Sequence, residues 1–311
     1  MKSKHTELTF SLLATLVVVV AILCFLKGVK NHQLSESADL FTLVPTDCYA
    51  FIYIDKAGNF SKLLRLPLAR QIFNTTLPEE YCSIIERTKG NVSFLIAFCP
   101  EGILLYGNPG NNQMNNIKKD IFEKIATGYS PMQQEYVGSK LLYYPGKGKS
   151  FLGYSYQKGI FICSYNKKLL EKSVLQQQHT FTQLPVAIEI LRKRLNRNNP
   201  ASIFFQTKKY KLDIFPDSLI SPSVTEGWLS ADLSTRQNEL CIFGSLPFRE
   251  ETQVNFPDSL YHSLADTLTV KLTHLFPSLC ITSQITSDNS ELYYSACGSS
   301  SGISTIKPSY E

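Results

Sequence analysis

The chain has 311 residues, 43% hydrophobic and 12% aromatic, with 31 Lys and Arg against 26 Asp and Glu. That is too apolar for a disordered stalk, whose mark is low hydrophobicity with high net charge, and long enough for one large domain or two smaller ones. Four lysines and one glutamate fall in residues 1–30, leaving 27 basic and 25 acidic side chains in a near-neutral body; without the basic stripe that such binding needs, no nucleic-acid partner is expected.

Residues 8–26 are uncharged and strongly apolar, ending at Lys27. As a helix this run spans roughly 28 Å at about 1.5 Å per residue, close to the hydrocarbon thickness of a bilayer, and it predicts a transmembrane anchor after a short tail. A cleaved secretory signal is the lesser reading, because the run exceeds the usual apolar length and no small-residue cleavage site follows closely. Cys24 follows Ile22 and Leu23 rather than a small residue, so it reads as an apolar helix position, not a lipidation site. Lys2 and Lys4 are matched by Lys27 and Lys30, and the short tail then favours a single-pass inner-membrane protein whose C-terminal body is exported to the periplasm or cell exterior. A cytosolic body on an inverted anchor is the alternative.

Residues 31–43 read as a linker and 44–311 as an α+β ectodomain. From Cys48 the aromatic and β-branched run to Asp55 predicts a strand, and Asn59 is placed to cap a short helix through Leu64. Strands at Val92–Cys99 and Ile103–Tyr106, joined by Pro100-Glu101-Gly102, predict an antiparallel hairpin. Ile117, Ile121, Phe122 and Ile125 recur at helical spacing. Four short strands, Gln134–Val137, Lys140–Tyr144, Phe151–Tyr156 and Gly159–Ser164, make a meander. Helices follow at Lys167–Leu175 and Leu184–Leu195, the second flanked by Arg192, Lys193, Arg194 and Arg197. That basic run reads as a solvated face near a helix C-terminus, with anionic lipid heads as the sharper alternative.

The segment Ala201–Lys208 resembles Tyr49–Lys56, and Gly227–Leu233 with Glu239–Gly244 mirrors Val92–Phe98 with Gly102–Gly107. A helix carrying Leu260, Leu264 and Leu268 and strands Leu279–Thr286 and Glu291–Cys297 complete the second pass. Two repeats, residues 44–165 and 198–298, are therefore expected, packed as similar lobes with a groove between them. Chance alternation in an α+β chain produces the same order.

Seven cysteines lie outside the apolar run. Cys99, Cys163, Cys241 and Cys280 sit in strand-like runs where a thiol behaves as a small buried hydrophobe, and one or two disulfides of unassigned partners are compatible with an exported body. No C-x-x-C pair is present. Gly298–Gly302 matches G-x-S-x-G around Ser300, but no Asp or His follows it to complete a triad. Gly146–Ser150 ends like a phosphate loop yet has Tyr143 where the leading glycine belongs. His32, His179, His262 and His274 are scattered, and His262 with Asp266 reads as a surface ion pair. Glu79-Glu80 and Glu250-Glu251 read as solvated, and Asn59, Asn74 and Asn91 match the glycan acceptor pattern only incidentally. No catalytic, cofactor-binding or metal-binding residue is predicted, and no cofactor.

Leu43–Asp55 just outside an N-terminal anchor, followed by Gly227–Leu233 and a strand ending in Gly244, resembles uncharacterised anchored proteins of the bacterial cell envelope. The resemblance implies a body at the membrane surface and carries no activity. The expected function is a non-enzymatic module that binds an envelope protein or a surface polymer, with Tyr143, Tyr144, Tyr154 and Tyr156 either contact area or core. The competing class is an anchored hydrolase using Asp232, Asp266 or a histidine in a cleft.

Overall fold

A computed structural model describes residues 39–119 except 89, 130–145, 151–178, 198–206, 228–247 except 237, 280–285 and 291–298, with single helical positions at 18–20, 22, 189, 192, 193, 266 and 270. The strands are β1 Ala50–Ile54, β2 Phe94–Cys99, β3 Gly102–Gly107, β4 Met132–Tyr136, β5 Ser139–Pro145, β6 Phe151–Gln157, β7 Ile160–Ser164, β8 Ala201–Gln206, β9 Trp228–Arg236, β10 Glu239–Pro247, β11 Cys280–Ile285 and β12 Glu291–Gly298. The helices are α1 Ala57–Leu63, α2 Pro67–Thr76, α3 Glu79–Arg87, α4 Gly110–Ile117 and α5 Lys167–Gln178, preceded by a 3-10 turn at Leu40–Leu43.

All twelve described strands join one sheet in the order β11-β12-β10-β9-β8-β1-β2-β3-β7-β6-β5-β4, and every described pairing is antiparallel. The expected α+β class with mainly antiparallel sheet is thus observed. Strand β2, Phe-Leu-Ile-Ala-Phe-Cys, has no polar residue because all six side chains are buried; a strand covered on both faces loses its period-two alternation. One face packs Ile52, Ile54, Phe94, Ile96 and Phe161 against Phe60, Leu63, Phe73, Tyr81 and Ile85 of α1–α3. On the other face Phe51, Leu95, Tyr106 and Ile162 meet Leu40, Phe41 and Leu43 of the 3-10 turn and Leu169, Leu170 and Val174 of α5.

Residues 39–43, at the end of the expected linker, are therefore part of the fold. Leu40, Phe41 and Leu43 are core, and Asp39 accepts the Phe41 amide and pairs with Arg192. That guanidinium lies 4.9 Å from the centre of the Phe41 ring, so Arg192 is engaged with the fold rather than merely solvated. Residues 184–195 otherwise lie almost wholly outside the described residues.

Helices α2 and α3 were not foreseen. Their signals are Pro67, pre-set for a first helical position, with Leu68, Ala69, Ile72 and Phe73 along one face, and Glu79-Glu80, which fall in the first turn of α3, where carboxylates favour the helix dipole. Asn59 is not a cap; α1 already starts at Ala57. Helix α4 ends at Ile117, the first residue of the expected stripe, which is buried; Ile121, Phe122 and Ile125 are outside the described residues, as are Leu260, Leu264 and Leu268.

The strand order is mirrored about its centre. Outward from β1 run β2, β3, β7 and β6; outward from β8 run β9, β10, β12 and β11. Where the repeat reading expects a groove, β1 and β8 pair directly, Phe51 opposite Phe204 and Ile52 opposite Ile203. Ala50, Ile52 and Ile54 share a face with Ala201, Ile203 and Phe205, so the sequence comparison that sets Ala201 beside Tyr49 joins residues of opposite faces.

Among the described residues no helix is long and apolar enough to cross a membrane. Of residues 8–26 only Val18, Val19, Val20 and Ile22 are described, as exposed helical positions.

Candidate functional site

The tyrosines considered for contact area are mainly core. Tyr143, Tyr144 and Tyr154 are buried, Tyr144 stacks on Tyr154 with ring centroids 6.0 Å apart, and only Tyr156 is half-buried. Gly153 shows how tightly this region packs, since an added Cβ would lie 2.7 Å from the Tyr143 ring and 2.8 Å from Leu170. His262, Glu250-Glu251, residues 146–150 and Ser300 lie outside the described residues; Asp266 is an exposed helical residue. Among the described residues no three His, Cys, Asp or Glu side chains converge to hold a metal ion.

The remaining feature is the outer sheet, β8 to β11, on the face shared with the 3-10 turn and α5. Strand β9 reads Trp-Leu-Ser-Ala-Asp-Leu-Ser, and its alternation places Trp228, Ser230, Asp232 and Ser234 on that face while Leu229, Ala231 and Leu233 are buried. Registers extend it into rows across the strands. Ser202, Asp232, Phe243, Ser295 and Thr282 form one row over five strands. Phe204, Ser230 and Tyr293, on β8, β9 and β12, belong to the next.

Within these rows Ser202 Oγ donates to Asp232 Oδ1, and the Thr282 and Ser295 hydroxyls hydrogen-bond at 2.8 Å. Phe204 and Trp228 are buried at the inner end, whereas Phe243 and Tyr293 are 43% and 45% exposed. The surface thus carries hydroxyls, one carboxylate and two aromatic rings on a hydrogen-bonded support. Such groups bind through ring contact and hydrogen bonds. Asp232, named from the sequence as a hydrolase candidate, has a serine beside it but no histidine in its row.

A third row crosses the same face: Ser234, Cys241, Cys297 and Cys280, on β9, β10, β12 and β11. All seven cysteines outside the apolar run are free thiols, Cys48, Cys82, Cys99, Cys163 and Cys241 buried, Cys297 half-buried and Cys280 exposed. The expectation of burial holds for Cys99, Cys163 and Cys241 and fails for Cys280, because among the described residues β11 is an edge strand with a neighbour on one side only. Burial, with Cys297 beside it, pushes the Cys241 thiol up to about 12.

The sequence contains the period-two pattern of β9 but not the rows, which exist only once the strands are paired. Together fold and face define an α+β protein with a single antiparallel sheet, helices on both sides, and a polar, aromatic surface toward one edge. No protein-family model matches the chain, and no curated protein matches it in sequence. Among solved structures it is similar to crystal form I of TP0453, at 17% identity and a TM-score of 0.46 over 83% of this chain and 91% of that one. Crystal form III of TP0453 gives 16% identity and 0.46 over 85% and 95%.

Proposed function

We propose that this is a membrane-anchored, non-enzymatic binding protein of the cell envelope, held in the inner membrane by residues 8–26 with its body exported. In this reading the body is a pair of repeats, residues 44–165 and 198–298, of which the second offers its polar face to an envelope protein or a surface polymer. The observation that carries it is the pair of half-exposed rings, Phe243 and Tyr293, set among Ser230, Asp232, Ser295 and Thr282 on adjacent strands. Aromatic side chains on a rigid support supply contact area at low entropic cost. The likeness of Leu43–Asp55 and Gly227–Leu233 to anchored envelope proteins supports the location.

The test is site-specific photo-crosslinking of the full chain in cells. A photoreactive residue replaces Phe243 or Tyr293 in turn, with Phe151, an equally exposed aromatic on β6, as the control. A partner or polymer captured at near-stoichiometric yield from positions 243 and 293 but not from 151 is the expected result. Equal capture from all three positions, or none, overturns the assignment of this face.

A further inference from the structure

We propose that Cys280 and Cys297 are a redox-modification site: they form a cross-strand disulfide that fastens the edge strand β11 to β12, entered from solvent through Cys280. The two residues are directly opposite in the antiparallel register, on the same face of the sheet. Facing residues of antiparallel strands have Cα atoms about 4.5–5.5 Å apart, inside the range of about 4.4–6.8 Å that a disulfide spans. Cys280 is exposed and Cys297 half-buried, so an oxidant reaches the first and the second stands next to it.

Two other thiol contacts make poorer candidates. Cys48 and Cys99 are neighbours in the core, but at 2% and 3% exposure neither offers an entry point in the folded protein. Cys241 faces Cys297 from the other side, yet it is fully buried and almost wholly protonated near neutral pH, so it is a poor nucleophile.

The step uses a small-molecule disulfide as oxidant. The Cys280 thiolate attacks it, forming a mixed disulfide and releasing one thiolate. The Cys297 thiolate then attacks the Cys280 sulfur and expels the second. Two protein thiols are oxidised, the small disulfide is reduced to two thiols, and both thiol protons pass to solvent or to the released thiolates. Among the described residues β11 is held by β12 alone, and the new bond closes the chain between residues 280 and 297, so oxidation restricts opening of the edge.

The full chain, reduced in detergent micelles, would be equilibrated with glutathione disulfide, alkylated and digested with a glutamate-specific protease. Glu239, Glu250, Glu251 and Glu291 place Cys241, Cys280 and Cys297 on separate peptides. The expected result is a Cys280–Cys297 linked pair with Cys241 still alkylatable after denaturation, and slower amide exchange over residues 280–285 than in the reduced protein. Cys280→Ser, at an exposed site with little folding cost, is expected to abolish both changes; Cys297→Ser is expected to stop at glutathione on Cys280. A Cys241–Cys297 bond, glutathione left on Cys280 of the unmutated chain, or slowed exchange in Cys280→Ser overturns the proposal.

Discussion

At the scale of single residues the hairpin turns are the sharpest case. Val137-Gly138 and Lys158-Gly159 both hold two successive residues at positive φ, 48° and 70° in the first and 49° and 80° in the second, as a type I′ turn requires. A β-branched residue fits that region poorly, and Val137 is half exposed, so burial offsets little of the strain. Val137→Asn is expected to stabilise the protein by roughly 1 kcal/mol, read as a higher urea midpoint with unchanged slope. An unchanged or lower midpoint would show that the valine side chain contributes more than its backbone costs.

Among the elements, α5 depends on one side chain at its start. Asn166 Oδ1 accepts the Leu169 amide at 3.1 Å, and its Nδ2 donates to the Glu101 carbonyl at 2.8 Å in the β2–β3 turn. The cap is therefore also a tie to the sheet that α5 covers with Leu169, Leu170 and Val174. Asn166→Ala is expected to cost about 1–2 kcal/mol, losing cap and tie together. Asn166→Asp keeps the acceptor but not the donor and is expected to lose less. Urea unfolding of the two variants measures both, and equal losses would assign the effect to the tie alone.

For the whole molecule, the acidic hydroxyls and thiols of the core set the response to alkali. Burial pushes Tyr81, Tyr106, Tyr154 and Cys163 above their ordinary values, Cys82 up to about 11 and Tyr143 up to about 12. In each case the native state keeps its proton at a pH where the unfolded chain has lost it. The stability this contributes is complete below the ordinary thiol and phenol values of 9.0 and 10.0 and is lost as pH rises through the raised native values. The urea midpoint is expected to hold to about pH 8.5 and fall steadily from pH 9 to 11. A flat profile across that range would mean that these groups titrate alike in the folded and unfolded chains.

Much of the fold is local enough to be legible in the residues. The run Cys48–Asp55, the hairpin around Pro100-Glu101-Gly102 and the four-strand meander follow from apolar runs, alternation and turn chemistry, which backbone dihedrals impose within a few residues of chain. Helices α2 and α3 escaped because each is short and only half apolar, so that its stripe shows only against the sheet it covers. Pairing between distant segments has no local signature. That β1 lies against β8, that β12 rather than β11 adjoins β10, and that Ala50 shares a face with Ala201 depend on how distant segments cover one another. The polar face shares this origin: Ser230, Asp232 and Ser234 alternate visibly in the sequence, but their alignment with Phe243, Tyr293 and the cysteines of β12 and β11 depends on register. The sequence by itself determined which segments are strands and where they turn, because those are short-range steric choices; only the tertiary structure decided which strands meet and which side chains stand together, because that requires segments far apart in the chain to bury one another.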